Sequence, residues 1–324
     1  MFTSAELLEQ INVYIRNLGF SRSPEELYEP ISYVLSIGGK RLRPVLMMMA
    51  YNLYKENVSE VYAPAAGIEM YHNYTLLHDD LMDCADFRRG KQTVHKKWNE
   101  NTAILSGDAM LVLAYQLMAQ CDVRLLKEVM ELFSETALEI CEGQQMDMNF
   151  ETRMNVSEQE YLEMIRLKTA VLLAASLKIG ALLGGASSSD ADNLYKFGIN
   201  MGLAFQLKDD LLDVYGNPDV FGKKIGGDIM CNKKTFLLIK ALEYANVEQK
   251  ASLESWIARS SFVANEKIFA VTQLYNEIGV RRLCEDLVES YSAKAMEYLS
   301  KISVEDDRKE GLRQIIAKLV RREA

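Results

Sequence analysis

The residues best suited to chemistry are aspartates, grouped twice in one pattern. Asp79, Asp80 and Asp83 lie in Leu76-Leu77-His78-Asp79-Asp80-Leu81-Met82-Asp83, and Asp209, Asp210 and Asp213 in Gln206-Leu207-Lys208-Asp209-Asp210-Leu211-Leu212-Asp213. On a helix, positions i and i+4 stack, so Asp79 shares a face with Asp83 and Asp209 with Asp213. Like charges at that spacing repel by about 0.2–0.5 kcal/mol per pair on a bare helix. Such clusters either hold a compensating cation or are solvated surface. Their recurrence, and the apolar run around each copy, favour the cation. Carboxylates without His or Cys partners suit a hard ion, Mg²⁺ before Zn²⁺. Mg²⁺ keeps several waters and takes one or two carboxylates plus substrate phosphates, so two such clusters could clamp several ions on one diphosphate.

A diphosphate needs cations, and these accompany the acids. Gly38-Gly39-Lys40-Arg41-Leu42-Arg43-Pro44 is a glycine-loosened loop entering a helix, where backbone amides and arginine forks favour an anion. Arg88-Arg89-Gly90-Lys91 follows the first cluster, Lys168-Thr169 lies mid-chain, and Lys223, Lys224 and Lys233 follow the second. Any one of these alone would read as surface charge; their clustering beside the acids is what carries weight.

The elements that must position these groups read as helices. Prolines occur at 24, 30, 44, 64 and 218, leaving none from 65 to 217, and helix interiors exclude proline. Apolar residues recur at three- and four-residue spacing, as in Leu125, Val129, Leu132 and Phe133, and strand-like alternation is scarce. Helices are expected at 4–18, from Pro24 to the Ile37-Gly38-Gly39 break, from Pro44, and from Pro64 through the first cluster. Others follow at about 101–120, 122–149, 157–184, 190–215, 233–244, 248–258, 264–278, 280–301 and 305–322. Tyr215–Asn232, with Gly216, Gly222, Gly226, Gly227 and Pro218, is the longest irregular stretch. No linker divides the chain, so residues 1–324 are expected to form one all-α domain, a bundle of ten or more helices around a central cavity.

The formal net charge of −9 argues against a nucleic-acid binder, while 49% hydrophobic and 26% charged residues are ordinary for a globular protein. Five cysteines form no metal-ligand spacing and no secretory leader precedes them, so a reducing cytoplasm is expected. The most apolar window, Thr169 to Ala186, contains Lys178 and reads as a buried helix rather than a membrane span. Its Gly180 and Gly184 would permit close helix packing.

Taken in order, Gly39-Lys40-Arg41-Leu42-Arg43-Pro44, His78-Asp79-Asp80-Leu81-Met82-Asp83 with Arg88-Arg89-Gly90, Ser106-Gly107-Asp108, Gly143-Gln144 with Asp147, Lys168-Thr169, Phe205 through Asp213, then Lys223, Gly226, Asp228, Lys233 and Thr235 resemble the trans-isoprenyl diphosphate synthases of the polyprenyl synthetase family. The resemblance runs over most of the chain and implies their isoprenoid synthase fold. It implies that Asp79, Asp83 and Asp209 hold three Mg²⁺ on an allylic diphosphate, with Asp80, Asp210 and Asp213 supporting and Mn²⁺ able to substitute. Arg88, Lys168, Thr169, Gln206, Lys223 and Lys233 would grip that diphosphate, and Lys40, Arg43, His72 and Arg89 would hold isopentenyl diphosphate. Asp79, Asp83, Asp209, Lys168 and Arg88 would then carry the catalysis, a head-to-tail condensation after ionisation of the allylic bond. A homodimer is implied as well.

Product length should depend on what the growing tail meets along the first-cluster helix. His72 and Thr75 share the face of Asp79; Tyr71 lies eight residues down, about 12 Å at 1.5 Å per residue. In the family an aromatic five residues before the first aspartate, here Tyr74, accompanies short products, so farnesyl or geranylgeranyl diphosphate is expected. The uninserted first motif resembles archaeal geranylgeranyl synthases. The rivals are a long-chain synthase making a quinone side chain such as octaprenyl, a non-catalytic subunit of a heteromeric synthase, and a terpene cyclase.

Overall fold

Side-chain caps set where several helices start. The computed structural model describes residues 1–216 and 225–320. Helix α1 (Ser4–Arg16) is capped by Thr3, whose hydroxyl accepts from the Glu6 amide while the Glu6 carboxylate accepts from the Thr3 amide. The cap is therefore Thr3, and Ser4 is the first helical residue. Ser157 with Glu160 starts α8 (Glu158–Ile165) in the same way.

The chain resolves into two compact units. One comprises residues 1–134, 175–194 and 303–311; the other comprises 135–174, 195–302 and 312–324. The first unit contains α1, α2 (Glu25–Ser36), α3 (Leu42–Asn52), α4 (Tyr62–Met82), α5 (Val94–Lys97) and α6 (Glu100–Met118). Its core is formed by residues such as Leu7, Ile31, Leu46, Met47 and Ile68, all excluded from solvent. Between α4 and α5 lies a hairpin, β1 (Phe87–Arg88) paired antiparallel with β2 (Lys91–Gln92). Its turn residues, Arg89 at φ 53° and Gly90 at φ 73°, are both left-handed, the conformation a two-residue hairpin turn requires.

The second unit holds most of α7 (Leu126–Glu151), α8, a π-helical turn at Arg166–Ala170, the start of α9 (Val171–Gly184) and most of α10 (Ser188–Tyr215). It continues through α11 (Gly227–Met230), α12 (Phe236–Tyr244), α13 (Val247–Ala258), α14 (Ala264–Ile278) and α15 (Val280–Ser300), and takes most of α16 (Glu310–Val320). Leu207 and Leu211 of α10, Leu237 of α12, Tyr275 of α14 and Val288 of α15 belong to its apolar core.

The all-α expectation holds, and most helix bounds agree within a few residues. Three differ for local reasons. α3 starts at Leu42, two residues before Pro44, because left-handed Arg41 ends the loop there. α7 starts at Leu126 rather than 122, after a turn in which Asp122 accepts from the Arg124 amide. Residues 306–309 are turns, so α16 begins at Glu310. Gly180 and Gly184 do serve close packing: a Cβ on Gly180 would collide with the Met47 carbonyl, and one on Gly184 would lie 2.9 Å from that of Tyr51. The continuous stretch Glu158–Gly184 is long and apolar enough to cross a membrane, but 83% of its most apolar window is buried inside the protein.

Candidate active site

The first aspartate cluster ends α4. Asp83 is the residue that stops the helix, its amide reaching the Asp79 carbonyl at 2.8 Å. Asp79 is half-buried, Asp83 exposed and Asp80 buried, because one residue along a helix turns the side chain about 100°. The hairpin brings Arg88 onto the buried member. Arg88 Nε lies 2.8 Å from both Asp80 oxygens, and a terminal nitrogen lies 2.7 Å from Asp80 and 3.4 Å from Asp79. Burial pushes the Asp80 carboxyl up, and the Arg88 guanidinium offsets part of that rise.

His78, without a chemical role in the sequence, has a packing one. Its ring meets Tyr74 at 4.8 Å, lies 3.2 Å from the Ile104 carbonyl and sits over Gly107 of α6, where a Cβ would collide with it. Gly67 likewise brings α4 against α6, with a Cβ 3.0 Å from the Ala114 carbonyl. Ser106 donates to the Leu27 carbonyl at 3.0 Å. The Ser106-Gly107 pair thus positions α4 and its acids.

The glycine loop lies against the same helix. Arg43 donates to His72 Nε2 at 3.0 Å, which assigns the imidazole proton to Nδ1. Burial holds the His72 pKa well below its usual value, and the charges of Arg43 and Arg89 add to the effect. Arg43 is itself lowered to about 10 by burial. Arg89 donates to the Gly38 carbonyl, joining hairpin to loop. Lys40 is exposed. Arg41, grouped with the anion-binding cations in the sequence, instead turns inward and pairs with Glu69 at 2.6 Å.

Up α4 from the cluster runs a chain of rings. Tyr74 meets Tyr71 at 5.5 Å, Tyr71 meets Phe133 edge-on at 5.3 Å, and Phe133 meets Tyr115 at 4.9 Å. Tyr71 is 1% exposed; Tyr74 and Thr75 are half-buried, and the Thr75 hydroxyl donates back to the His72 carbonyl at 2.8 Å.

The second cluster lies on α10 in the other unit, and again its middle member is the buried one. Asp210 accepts from the Tyr161 hydroxyl in a very short hydrogen bond and from Gln206 at 3.1 Å; Gln206 in turn accepts from Thr169 at 3.1 Å. Burial, reinforced by Asp228, pushes Asp210 up to about 7. Asp213 accepts from the Asp228 amide at 2.9 Å and so anchors the start of α11 to α10. Lys168 and Thr169 sit in the π-helical turn, where the displaced backbone re-aims side chains. Gly143 of α7 lets that turn approach, since a Cβ there would collide with the Lys168 amide.

Asp147, quoted with Gly143-Gln144 in the sequence pattern but given no role there, has one in the structure. It accepts from Lys168 at 2.7 Å and lies 3.9 Å from Lys233, tying two of the expected diphosphate-binding lysines together. Burial alone would raise its pKa, but Lys233 and Lys168 bring it below the usual carboxylate value. Its place one turn after Gly143 is the signal that could have found it. Lys223 and the tail Arg321-Arg322 fall outside the described residues.

Among the described residues, no three His, Cys, Asp or Glu side chains converge tightly enough to hold a metal by themselves. Asp79, Asp83 and Asp209 are carboxylates at least partly open to solvent. That donor set fits Mg²⁺, which is shared with water and substrate oxygens rather than caged.

Comparison with known proteins agrees with this geometry. The profile of the polyprenyl synthetase family matches residues 24–278. A geranylgeranyl diphosphate synthase of Methanosarcina mazei is 47% identical over 223 residues, 68% of each chain. That of Sulfolobus acidocaldarius is 35% identical over 306 residues, 93% of this chain and 92% of its own. A crystal structure of a geranylgeranyl pyrophosphate synthase, 41% identical, superposes over the full length of both chains with a TM-score of 0.95. One from Pyrococcus horikoshii, 31% identical, gives 0.92 over 99% and 98% of the two chains. With a family profile over most of its length and geranylgeranyl synthases sharing its sequence and its all-α frame, this chain belongs to the polyprenyl synthetase family.

Proposed function

We propose that the protein condenses allylic diphosphates with isopentenyl diphosphate and releases geranylgeranyl diphosphate. The observation that carries the product is the agreement of the M. mazei relative with the 41% identical solved structure, both geranylgeranyl synthases. Tyr74 beside the first cluster supports it and disfavours a long quinone tail. All six cluster aspartates are present, which disfavours a non-catalytic subunit.

In this reading Asp79 and Asp83 of the first cluster, and Asp209 of the second, would hold Mg²⁺, which would supply positive charge for a departing diphosphate. Asp80 and Asp210 support from their buried positions, and Asp213 holds the start of α11. Lys168, Lys233 and Lys223 add charge to the leaving group, Gln206 and Thr169 add hydrogen bonds, and Arg88 exchanges its carboxylate partners in part for phosphate oxygens. Lys40, Arg43, His72 and Arg89 hold isopentenyl diphosphate so that its double bond attacks the allylic carbon once the carbon–oxygen bond has ionised. The proton lost from the adduct passes to the released diphosphate.

A cytoplasmic homodimer completes the proposal. Ile104, Leu105 and Val112 of α6 are 43%, 60% and 57% exposed, an apolar stripe suited to a second copy. The five cysteines are all free thiols, in keeping with a reducing compartment.

Incubation with labelled isopentenyl diphosphate and chromatography of the dephosphorylated products tests the reading. Asp79→Ala and Asp209→Ala should each lower turnover at least about a hundredfold with the helical circular dichroism unchanged. Near wild-type rates at saturating Mg²⁺ in either variant would sink it.

A further inference from the structure

Arg41 and Glu69 form a buried ion pair between residues that the proposed chemistry does not use. Their side chains are 4% and 3% exposed and 2.6 Å apart. Arg41 also donates to the Leu35 carbonyl at 2.6 Å and to Asn12 at 3.3 Å. Asn73, one turn along α4, donates to the Glu69 carboxylate at 3.0 Å and to the Glu69 carbonyl at 2.7 Å. Arg41 is left-handed, φ 47° and ψ 35°, a conformation that costs an arginine about 1–2 kcal/mol and that neighbouring structure must hold.

That backbone turn lies between Lys40 and Arg43. Two residues of α4 one turn apart therefore grip the end of the loop and the start of α3: Glu69 takes Arg41, and His72 takes Arg43. We propose that Glu69, acting through Arg41, is a positioning residue for isopentenyl diphosphate, fixing the left-handed turn that sets Lys40 and Arg43 against that substrate. The inference rests on the assignment of Lys40 and Arg43 above.

Electrostatics favour the same role. Arg41, Arg43 and Arg89 crowd one region, and like charges there lower Arg43 and Arg89 beyond the effect of burial. Glu69 is the acid that opposes this at both residues. A neutral side chain at 69 leaves a buried guanidinium uncompensated, and relief comes most readily by releasing Arg41 and its turn. Because the clamp is on the same helix as Asp79, it also fixes the interval along α4 between the two diphosphate-binding regions.

The near-isosteric Glu69→Gln tests this by steady-state kinetics with each substrate varied in turn, alongside a thermal melt. The apparent KM for isopentenyl diphosphate should rise about tenfold or more, while the KM for the allylic diphosphate and kcat at saturation stay within about twofold. A folded variant with unchanged KM for isopentenyl diphosphate, or with both KM values raised together, overturns the positioning role. If Glu69→Gln does not fold, Asn73→Ala serves: it removes one hydrogen bond to Glu69 and should raise the same KM selectively, by about threefold, and no rise would be the overturning result. A wild-type protein that forms no prenyl product would instead remove the reading beneath, so the two failures are distinct.

Discussion

Product length offers the sharpest test, because the structure supplies its increments. Tyr74 and Tyr71 are successive rings along α4, 5.5 Å apart, and under the proposed function they bar the growing tail in turn. Three residues of helix separate them, about 4.5 Å at 1.5 Å per residue. One isoprene unit adds four main-chain carbons, on the order of 5 Å when extended at about 1.5 Å per bond. Truncating Tyr74 should therefore admit about one further unit before Tyr71 closes the path, moving the main product from twenty to twenty-five carbons. Truncating Tyr71 alone should leave the length unchanged, because Tyr74 still stands in front of it. Tyr71→Ala would also open a cavity beside Phe133 at a cost of about 3 kcal/mol, so Tyr71→Leu is the better probe. The double variant Tyr74→Ala, Tyr71→Leu should make products of thirty carbons or more. The assay is incubation of each variant with farnesyl diphosphate and labelled isopentenyl diphosphate, followed by reversed-phase separation of the alcohols. A folded Tyr74→Ala enzyme with the wild-type product distribution would refute the barrier reading, and lengthening in Tyr71→Leu alone would refute its order.

Two further predictions concern the frame. Gly180→Ala places a methyl against the Met47 carbonyl, which side-chain motion cannot relieve, and should destabilise the protein by about 1–3 kcal/mol in urea denaturation; Lys178→Ala on the same helix, whose amine meets Asp192 at the surface, should cost under about 1 kcal/mol. Glu160 is lowered to about 2 by the Ser157 amide and then by Arg153. Its native pKa lies below the unfolded value, so its contribution is complete above about pH 4.5 and fades as pH falls toward 2. Glu160→Gln should thus flatten the acid limb of the stability–pH profile, and parallel profiles would refute the cap.

The helices were legible because apolar spacing and the absence of proline from 65 to 217 leave few alternatives for those residues. The aspartate pairs were legible because i and i+4 always share a face. Tertiary outcomes were not. The sequence around Arg41 reads as a run of cations at a helix start, and only the fold places Glu69 where it draws Arg41 inward. The hairpin at Phe87–Gln92 is too short for periodicity to register, although Arg89-Gly90 is an acceptable turn pair. Asp147 was quoted with Gly143-Gln144, but nothing local gave it a role. What makes it matter is a π-helical turn more than a helix away in sequence, and no local rule predicts where such a turn falls.

The burial of Asp80 and Asp210 follows from position, since each comes three residues after a core leucine, Leu77 and Leu207. Their partners do not follow from position. Asp80 meets a guanidinium, which stabilises a carboxylate even when water is withdrawn. Asp210 meets a tyrosine hydroxyl and an amide, with the acid Asp228 adding repulsion, and its pKa rises to about 7. Both buried aspartates are raised by burial, but only Asp80 has a cation against it. The difference arises from Arg88 on a hairpin in one unit and Tyr161 on α8 in the other, residues outside both motifs. A repeated pattern therefore specifies which carboxylates share a face, while the partner each middle aspartate meets is decided by whatever packs behind it.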